Sequence, residues 1–417
     1  MKVNTTLTGV IDENGNLVLP HEIRQAFGIT PGAQVRIEAG ENGLRILRPK
    51  GNLARVYVEP TNRCNLECRT CIRNVWDEPL GLMQWEVFER FLEGIQAFSP
   101  MPTVFLGGFG EPLVHPQLVE MVRQVKRAGV NAELITNGIL LSEAISSQLI
   151  ETGLDVLWIS IDGVTPESYA DVRLGASLPT VLDNLDTLMR LRSLASTRKP
   201  QVGFAYVAMK RNIQELPDLI RLGIIKGIER FSISNILAHT LELRDEVMYD
   251  RTLIEGSYQS AYKFTDINFP RMDISGQTMM AYQKAMQGNY RFQMAGSEVE
   301  KTINQCPFIL KGSSSIRWDG ELSPCLPLLH THDSYLGKRL RRSHAYSIGN
   351  ITQKGLPELW NEPGYLALRE RLQDFDYPPC TYCNSCEMAD SNLEDCYGNS
   401  APTCGGCLWA QGLIQCP

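Results

Sequence analysis

Nowhere in this sequence do about eighteen apolar residues follow one another, the length that a membrane-crossing helix needs. The first residues, MKVNTTLTGV, carry no apolar stretch of the kind that directs secretion. Both absences point to a cytoplasmic protein that makes no use of a membrane. An excess of positive charge is missing as well. Lys and Arg number 40 against 47 Asp and Glu, a formal net charge of −7, so the chain lacks the basic field of a dedicated nucleic-acid binder. Cysteine is absent from residues 72–305. The twelve cysteines therefore fall in two groups, three within residues 64–71 and nine after residue 305. Cytosolic thiols stay reduced, so disulfides explain this distribution poorly and ligation of a metal or cluster explains it well.

With 417 residues the chain can bury a substantial core divided over two or three domains. Residues 1–50 read as two strand-turn-strand patterns flanking one short helix, HEIRQAFGI, with Gly-Asn and Asn-Gly turn signals. So small a unit has little core of its own and is expected to dock or dimerise. From Arg55 to Asn235 apolar strands alternate with amphipathic helices: ARVYVEP, TVFLGG, AELITNG, DVLWISID, VGFAYVAM and RFSISN are the expected strands. Six βα units predict an α/β fold, a parallel sheet covered by helices and curved into a partial barrel over residues 53–235. Ligands of such sheets bind at the C-terminal strand ends, where Cys64, Gly107, Asn137, Ser160 and Asp162 are expected. Residues 236–305 lose the alternation; with Met272, Met279, Met280, Met286 and Met294 they suggest helical packing at the barrel mouth. After Cys306 the chain is rich in Cys, Gly and Pro, and ligation is expected to replace hydrophobic core across residues 306–417.

The strongest chemical signal is EPTNRCNLECRTCIRN, directly after the first of these strands. Cys64, Cys68 and Cys71 put three thiolates on one compact loop. Three thiolates leave one iron of a cubane cluster without a protein ligand, whereas structural zinc sites generally present four ligands. Spacing and position resemble the radical S-adenosylmethionine (SAM) superfamily. That resemblance implies a [4Fe-4S] cluster at these cysteines, with the amine and carboxylate of SAM on the open iron. One departure is Thr70, where the family often carries an aromatic residue near the adenine. The next strand ends in FLGGFGEPLVHP: Gly107, Gly108 and Gly110 permit close backbone approach, and Glu111 can accept from an ammonium group. This turn resembles the family's motif for the SAM amino group. Asn137, Ser160 and Asp162 end the third and fourth strands and can bind ribose or the methionyl moiety, while Arg173, in ESYADVRLG, matches a family arginine that contacts the SAM carboxylate. His115 and His239 are read as structural.

The second signal is the C-terminal set: Cys306, Cys325, Cys380, Cys383, Cys386, Cys396, Cys404, Cys407 and Cys416. Its opening, Cys-x13-Gly-x4-Cys, resembles the SPASM domain, which implies one or two auxiliary [4Fe-4S] clusters. The later spacing departs from the usual SPASM arrangement, and nine thiols exceed by one the requirement of two fully ligated cubanes, so the ligand sets stay open. A zinc knuckle at Cys404 and Cys407 is the competing reading.

Residues 1–50 resemble AbrB/SpoVT-type swapped-hairpin domains through GNLVLPHEIRQAFGITPGAQVRI, which implies a homodimer through this unit. Six Lys or Arg (Lys2, Arg24, Arg36, Arg45, Arg48, Lys50) oppose five Asp or Glu (Asp12, Glu13, Glu22, Glu38, Glu41), too even a balance for DNA binding by phosphate contacts. As a whole the chain resembles radical SAM/SPASM maturases, in particular those associated with tungsten cofactor oxidoreductases of the aldehyde ferredoxin oxidoreductase type. The resemblance implies a low-potential electron donor such as ferredoxin or flavodoxin, reductive cleavage of SAM to a 5′-deoxyadenosyl radical, and a client oxidoreductase or its cofactor as the object of modification. A peptide- or protein-modifying maturase and, from another class, an iron-sulfur DNA-binding regulator are the alternatives.

Overall fold

A computed structural model describes residues 8–40, 43–250, 252, 266–270, 272–273, 275–278, 291–294, 304–378, 380–381 and 386–417. Near the N-terminus β1 (Val10–Ile11) pairs antiparallel with β2 (Leu17–Val18). The Asp12 side chain accepts from the backbone N–H groups of Asn14 and Asn16 and so fixes the turn between them. Helix α1 (His21–Phe27) ends on Gly28, whose φ of 64° is the left-handed cap that favours glycine. The hairpin of β3 (Ile37–Gly40) and β4 (Gly43–Ile46) completes the unit as expected.

All six expected barrel strands form, parallel and in chain order: β5 (Arg55–Val58), β6 (Thr103–Leu106), β7 (Ala132–Thr136), β8 (Val156–Ser160), β9 (Gln201–Ala208) and β10 (Arg230–Asn235). Helices α2 (Trp85–Gln96), α3 (Leu118–Arg127), α4 (Glu143–Thr152), α5 (Pro166–Val172), α6 (Leu178–Leu194) and α7 (Leu216–Ile225) connect them. Period-two geometry sends alternate side chains to opposite faces. Val56, Val58, Val104 and Leu106 meet Phe88, Phe91 and Ile95 of α2 in the main core. Tyr57, Phe105 and Trp158 point the other way, into the lumen, where they pack with Phe308.

The sheet is wider than six strands. Beyond β10 lie β11 (Asp266–Phe269) and β12 (Arg291–Met294), both parallel. On the other flank β13 (Ser313–Ile316) pairs parallel with β5, which makes nine parallel strands. The antiparallel β14 (Glu321–Ser323) follows; the hairpin of β15 (His332–Leu336) and β16 (Arg339–Ser343) stands apart, and β17 (Gly349–Asn350) closes the sheet edge beside β14. Two expectations are corrected here. Residues 236–305 are not only helical packing: they supply two strands, with Met294 in β12 and Met272 buried, while Met279, Met280 and Met286 lie outside the described residues. Residues 306–417 add hydrophobic core beside their cysteines. Trp360, Tyr365, Leu368 and Leu372, from helices Leu356–Trp360 and Pro363–Asp374, join the main core, and β13 belongs to the barrel sheet. The boundary at residue 306 therefore crosses one continuous sheet.

The C-terminal tail runs along the inner face of the barrel. Asn235 Nδ2 donates to the Leu413 carbonyl (2.8 Å), the Gln415 N–H donates to Ser234 Oγ (3.1 Å) and Arg55 donates to the Pro417 carbonyl (3.1 Å). Trp409 and Cys416 pack against the lumen aromatics. Among the described residues no helix is long and apolar enough to cross a membrane.

Candidate active site

The loop after β5 carries Cys64, Cys68 and Cys71, all half-buried free thiols. Hydrogen bonds from the chain support the loop. Arg73 Nε donates to Cys71 Sγ (3.3 Å) while its two Nη groups donate to the carbonyls of Asn62 and Leu66 (3.1 and 2.9 Å). The Leu66 N–H donates to Cys64 Sγ (3.4 Å). Asn137, at the end of β7, donates to Asn65 Oδ1 (2.8 Å) and approaches Cys64 Sγ at 3.9 Å. Burial raises the Cys64 thiol, and it pushes Cys68 up to about 11 against the opposing pull of Arg173. Thiols in such a setting are neutral until metal displaces their protons.

The glycines of the second strand end are required by the chain itself. A Cβ on Gly110 would sit 2.2 Å from the Thr61 carbonyl oxygen and 2.6 Å from that of Arg63; one on Gly108 would meet Glu59 at 2.6 Å; one on Gly107 would meet Ile135 at 2.4 Å. Absence of side chains lets the turn lie directly against the cysteine loop. Glu111 is buried, with Oε1 accepting from Thr136 Oγ1 (2.8 Å) and the Leu113 N–H (3.0 Å) and Oε2 from the Asn137 N–H (2.7 Å). Its carboxylate thus ties the ends of β6 and β7 together. Asp162 is 0% exposed, accepts from the Val207 N–H (2.8 Å) and pairs with Arg173 at 2.7 Å. Ser160 ends β8 opposite Ala205 of β9 and is half-buried. Next to Cys68, the buried Tyr169 hydroxyl and Arg173 Nε have no hydrogen-bond partner among the described residues. Unpartnered buried donors beside a thiol loop suit a polar ligand. Tyr169 was missed in the sequence, although it stands four residues before Arg173, one turn away on α5.

Sequence reasoning also missed His330. Its imidazole is fully buried between two carboxylates, Nε2 at 2.9 Å from Glu59 and Nδ1 bonded to Glu78. Glu59 in turn accepts from the Phe109 N–H (3.1 Å), and Trp76 lies against the His330 ring at 4.2 Å between centroids. Burial opposes the charge, but the bonds to Glu59 and Glu78 outweigh it and hold His330 up at about 9. A segment near Cys325 is thereby fastened to the strand end that launches the cysteine loop. His115 is structural, with Nε2 2.9 Å from the Met83 carbonyl and Nδ1 accepting from the Gln117 N–H. His239 is buried with Nδ1 at 3.3 Å from the Leu237 carbonyl.

The C-terminal cysteines divide. Cys306, Cys325, Cys404 and Cys407 line one internal cavity, whose other walls include Phe308, Leu328 and Trp409. Burial pushes Cys306 up to about 12 and raises Cys325, Cys404 and Cys407 as well. These thiols surround a space; among the described residues no three His, Cys, Asp or Glu side chains converge on a single-ion site. Four thiols around one space can place one thiolate on each iron of a polynuclear cluster. Cys380 is buried near Gly405, Cys386 is half-buried and Cys396 exposed. Cys383 lies outside the described residues. Cys416 packs in the same lumen cluster as Cys306, Cys325 and Trp409, close to Lys311 and Arg55.

A parallel partial barrel with a three-cysteine loop at the end of β5 and a second thiol-lined cavity defines the class, a radical SAM enzyme with a SPASM domain. The sequence matches the Radical SAM superfamily over residues 58–223, the SPASM iron-sulfur cluster-binding domain over residues 306–387, and the MazE antitoxin family (antidote-toxin recognition) over residues 10–54. It is 32% identical over 371 residues, 87% of this chain and 96% of the relative, to the tungsten-containing aldehyde ferredoxin oxidoreductase cofactor-modifying protein of Pyrococcus furiosus. The chain belongs to the family of that cofactor-modifying protein. A PqqA peptide cyclase of Rhodopseudomonas palustris is 27% identical over 201 residues, 48% of this chain and 51% of the relative. Among solved structures, Streptococcus suis SuiB bound to its precursor peptide SuiA shares the fold, with a TM-score of 0.53 and 14% identity over 76% of this chain and 66% of that one. A radical SAM domain uses a [4Fe-4S] cluster and SAM, and a SPASM domain binds auxiliary iron-sulfur clusters.

Proposed function

We propose that this enzyme modifies the cofactor or the protein of a tungsten-containing oxidoreductase of the aldehyde ferredoxin oxidoreductase type. The observation that carries the reading is the near full-length similarity to the Pyrococcus protein of that description. Cys64, Cys68 and Cys71 hold the SAM-binding cluster; Arg73 and Asn137, which already donate to two of these sulfurs, fix its orientation. When bound and reduced, that cluster supplies the electron that splits SAM into methionine and a radical able to take a hydrogen atom from substrate. The backbone of Gly107, Gly108 and Gly110, with Asn137, Ser160, Tyr169 and Arg173, would hold SAM. Glu111 and Asp162 hold these groups in place from behind, because their oxygens are engaged by the chain. Cys306, Cys325, Cys404 and Cys407 ligate one auxiliary cluster; Cys380, Cys383, Cys386, Cys396 and Cys416 are the remaining candidates for a second.

Electrons come from a low-potential cytoplasmic donor, ferredoxin or flavodoxin. Residues 1–50 act as a dimerisation unit and 53–235 as the SAM-binding barrel. Residues 236–305 complete the barrel and 306–417 carry the auxiliary clusters. A second reading, modification of a peptide, draws support from the similarity to PqqA peptide cyclases.

Anaerobic reconstitution with reductant and SAM tests the chemistry: the wild type releases 5′-deoxyadenosine, and Cys64→Ala, Cys68→Ala or Cys71→Ala abolishes it. Unchanged product from these variants would remove the site assignment. Incubation with a tungsten oxidoreductase or with a candidate peptide, followed by mass measurement of each, separates the two client readings.

A further inference from the structure

We propose that Arg341 is the buried counter-charge of the auxiliary cluster at Cys306, Cys325, Cys404 and Cys407, and that it raises the reduction potential of that cluster. The inference rests on the four-thiol ligand set proposed above. In the basic run Lys338, Arg339, Arg341 and Arg342, Arg341 alone is buried, at 5% exposure. Arg339 pairs with Asp390 and Arg342 with Asp333. Among the described residues no carboxylate oxygen lies within ion-pair distance of Arg341; its Nη1 donates to the Ala389 carbonyl (2.6 Å). A guanidinium withdrawn from water without an anion is costly, so a negative partner is expected where it points.

It points at the Cys404–Cys407 knuckle. A Cβ added to Gly406 would lie 2.8 Å from Arg341 Nη1 and 3.0 Å from its Cζ, so the guanidinium rests against the backbone between the two cysteines. A Cβ on the neighbouring Gly405 would strike the Pro378 carbonyl oxygen at 2.1 Å and Cys380 Sγ at 3.0 Å. The Gly-Gly spacer is thus what allows knuckle and arginine to come together. Arg341 also lines, with Cys325, Cys404 and Cys407, a cavity on the far side of the knuckle. A cubane held by four thiolates is an anion that becomes more negative on reduction. A fixed adjacent cation therefore favours the reduced form, and net charge and hydrogen bonds to sulfur are what set such potentials.

The test uses the full chain with Cys64, Cys68 and Cys71 changed to Ala, which leaves only auxiliary signals, reconstituted anaerobically and titrated electrochemically with electron paramagnetic resonance as readout. Arg341→Gln is expected to retain wild-type iron per chain and move the midpoint potential to more negative values, while Arg341→Lys moves it less. Full iron with an unchanged potential in Arg341→Gln overturns the proposal, as does Arg341→Lys shifting as far as Arg341→Gln. Should Arg341→Gln fail to hold iron, Gly406→Ala decides. It keeps the charge but displaces the guanidinium, and a negative shift supports the role while none overturns it. The ligand set is checked separately with Arg341 intact: Cys404→Ala must lose iron, and if it does not, the four-thiol reading fails.

Discussion

A single imidazole shows how much the strand-end chemistry depends on residues that no motif marks. His330 joins Glu59, five residues before Cys64, to Glu78 and to a segment five residues after Cys325. Its charged form is favoured in the fold, with a value of about 9 against an ordinary 6.5, so its contribution to stability is complete below pH 6.5 and disappears as pH rises through about 9. Glu78 behaves in the opposite sense. Burial works against its charge, but His330 and the Thr331 N–H lower it below its ordinary 4.5, so its contribution holds above 4.5 and is lost as pH falls further. The His330 contribution alone is therefore expected to shrink by on the order of 3 kcal/mol between pH 6.5 and 10. His330→Gln should lower the melting temperature at pH 6 and flatten the fall between pH 6.5 and 9. Parallel melting curves for variant and wild type across that interval would contradict the assignment of charge to His330.

The elements near the site are governed by a few close approaches, and these explain what the sequence made legible. Alternating apolar strands and amphipathic helices gave six barrel strands at their observed places, because both faces of a parallel sheet must be buried and the pattern is dense. Strand β13 escaped because it reads Ser-Ser-Ser-Ile. Its serines are fully buried, with Ser313 Oγ donating to the Phe308 carbonyl (2.9 Å) and Ser314 Oγ to the Ser323 carbonyl (2.7 Å) while Ser315 Oγ has no hydrogen-bond partner among the described residues, and such a strand leaves no apolar signature. Strands β11 (Asp-Ile-Asn-Phe) and β12 (Arg-Phe-Gln-Met) are no shorter than β5 or β6, but half their residues are polar, so they lack the continuous apolar run that marks those strands. The cysteine loop was legible from spacing alone, whereas the Glu59–His330 pair and the place of Tyr169 beside Cys68 arise only in three dimensions. The glycine turn, legible as a motif, acts through backbone contact with the loop. Gly110→Ala should therefore cost about 1–3 kcal/mol by overpacking and lower the iron bound at Cys64, Cys68 and Cys71. Gly153→Ala is the control: its φ of 75° makes alanine strained by about 1 kcal/mol, but nothing lies within 4 Å of the added Cβ, so iron should be unaffected. Equal iron in the two variants, measured per folded chain, would show that the turn does not support the loop.

For the whole molecule, the distribution of exposed apolar residues is uneven. Val10, Ile11, Leu17, Val18, Ile37 and Leu44, all within the first 50 residues, are between 47% and 67% exposed, whereas their counterparts in the barrel strands are almost fully buried. Strand pairs this short carry too little burial to persist alone in water, and α1 has no buried residue. A second copy of the same unit would supply complementary strands of the same length, and self-complementary faces would close as a twofold dimer without growing further. Arg36 pairs with Asp374 and Lys50 with Glu370, on the helix that carries Leu368 and Leu372, but all four side chains are exposed, so these contacts add little to the hold of the unit. The full chain is expected to run as a dimer in light scattering. Val10→Asp combined with Val18→Asp, one on each strand of the β1–β2 pair and opposite one another in register, should give a monomer that retains wild-type iron and still releases 5′-deoxyadenosine. A wild-type monomer at micromolar concentration, or a dimer that survives both substitutions, would assign these apolar faces to a partner other than a second copy.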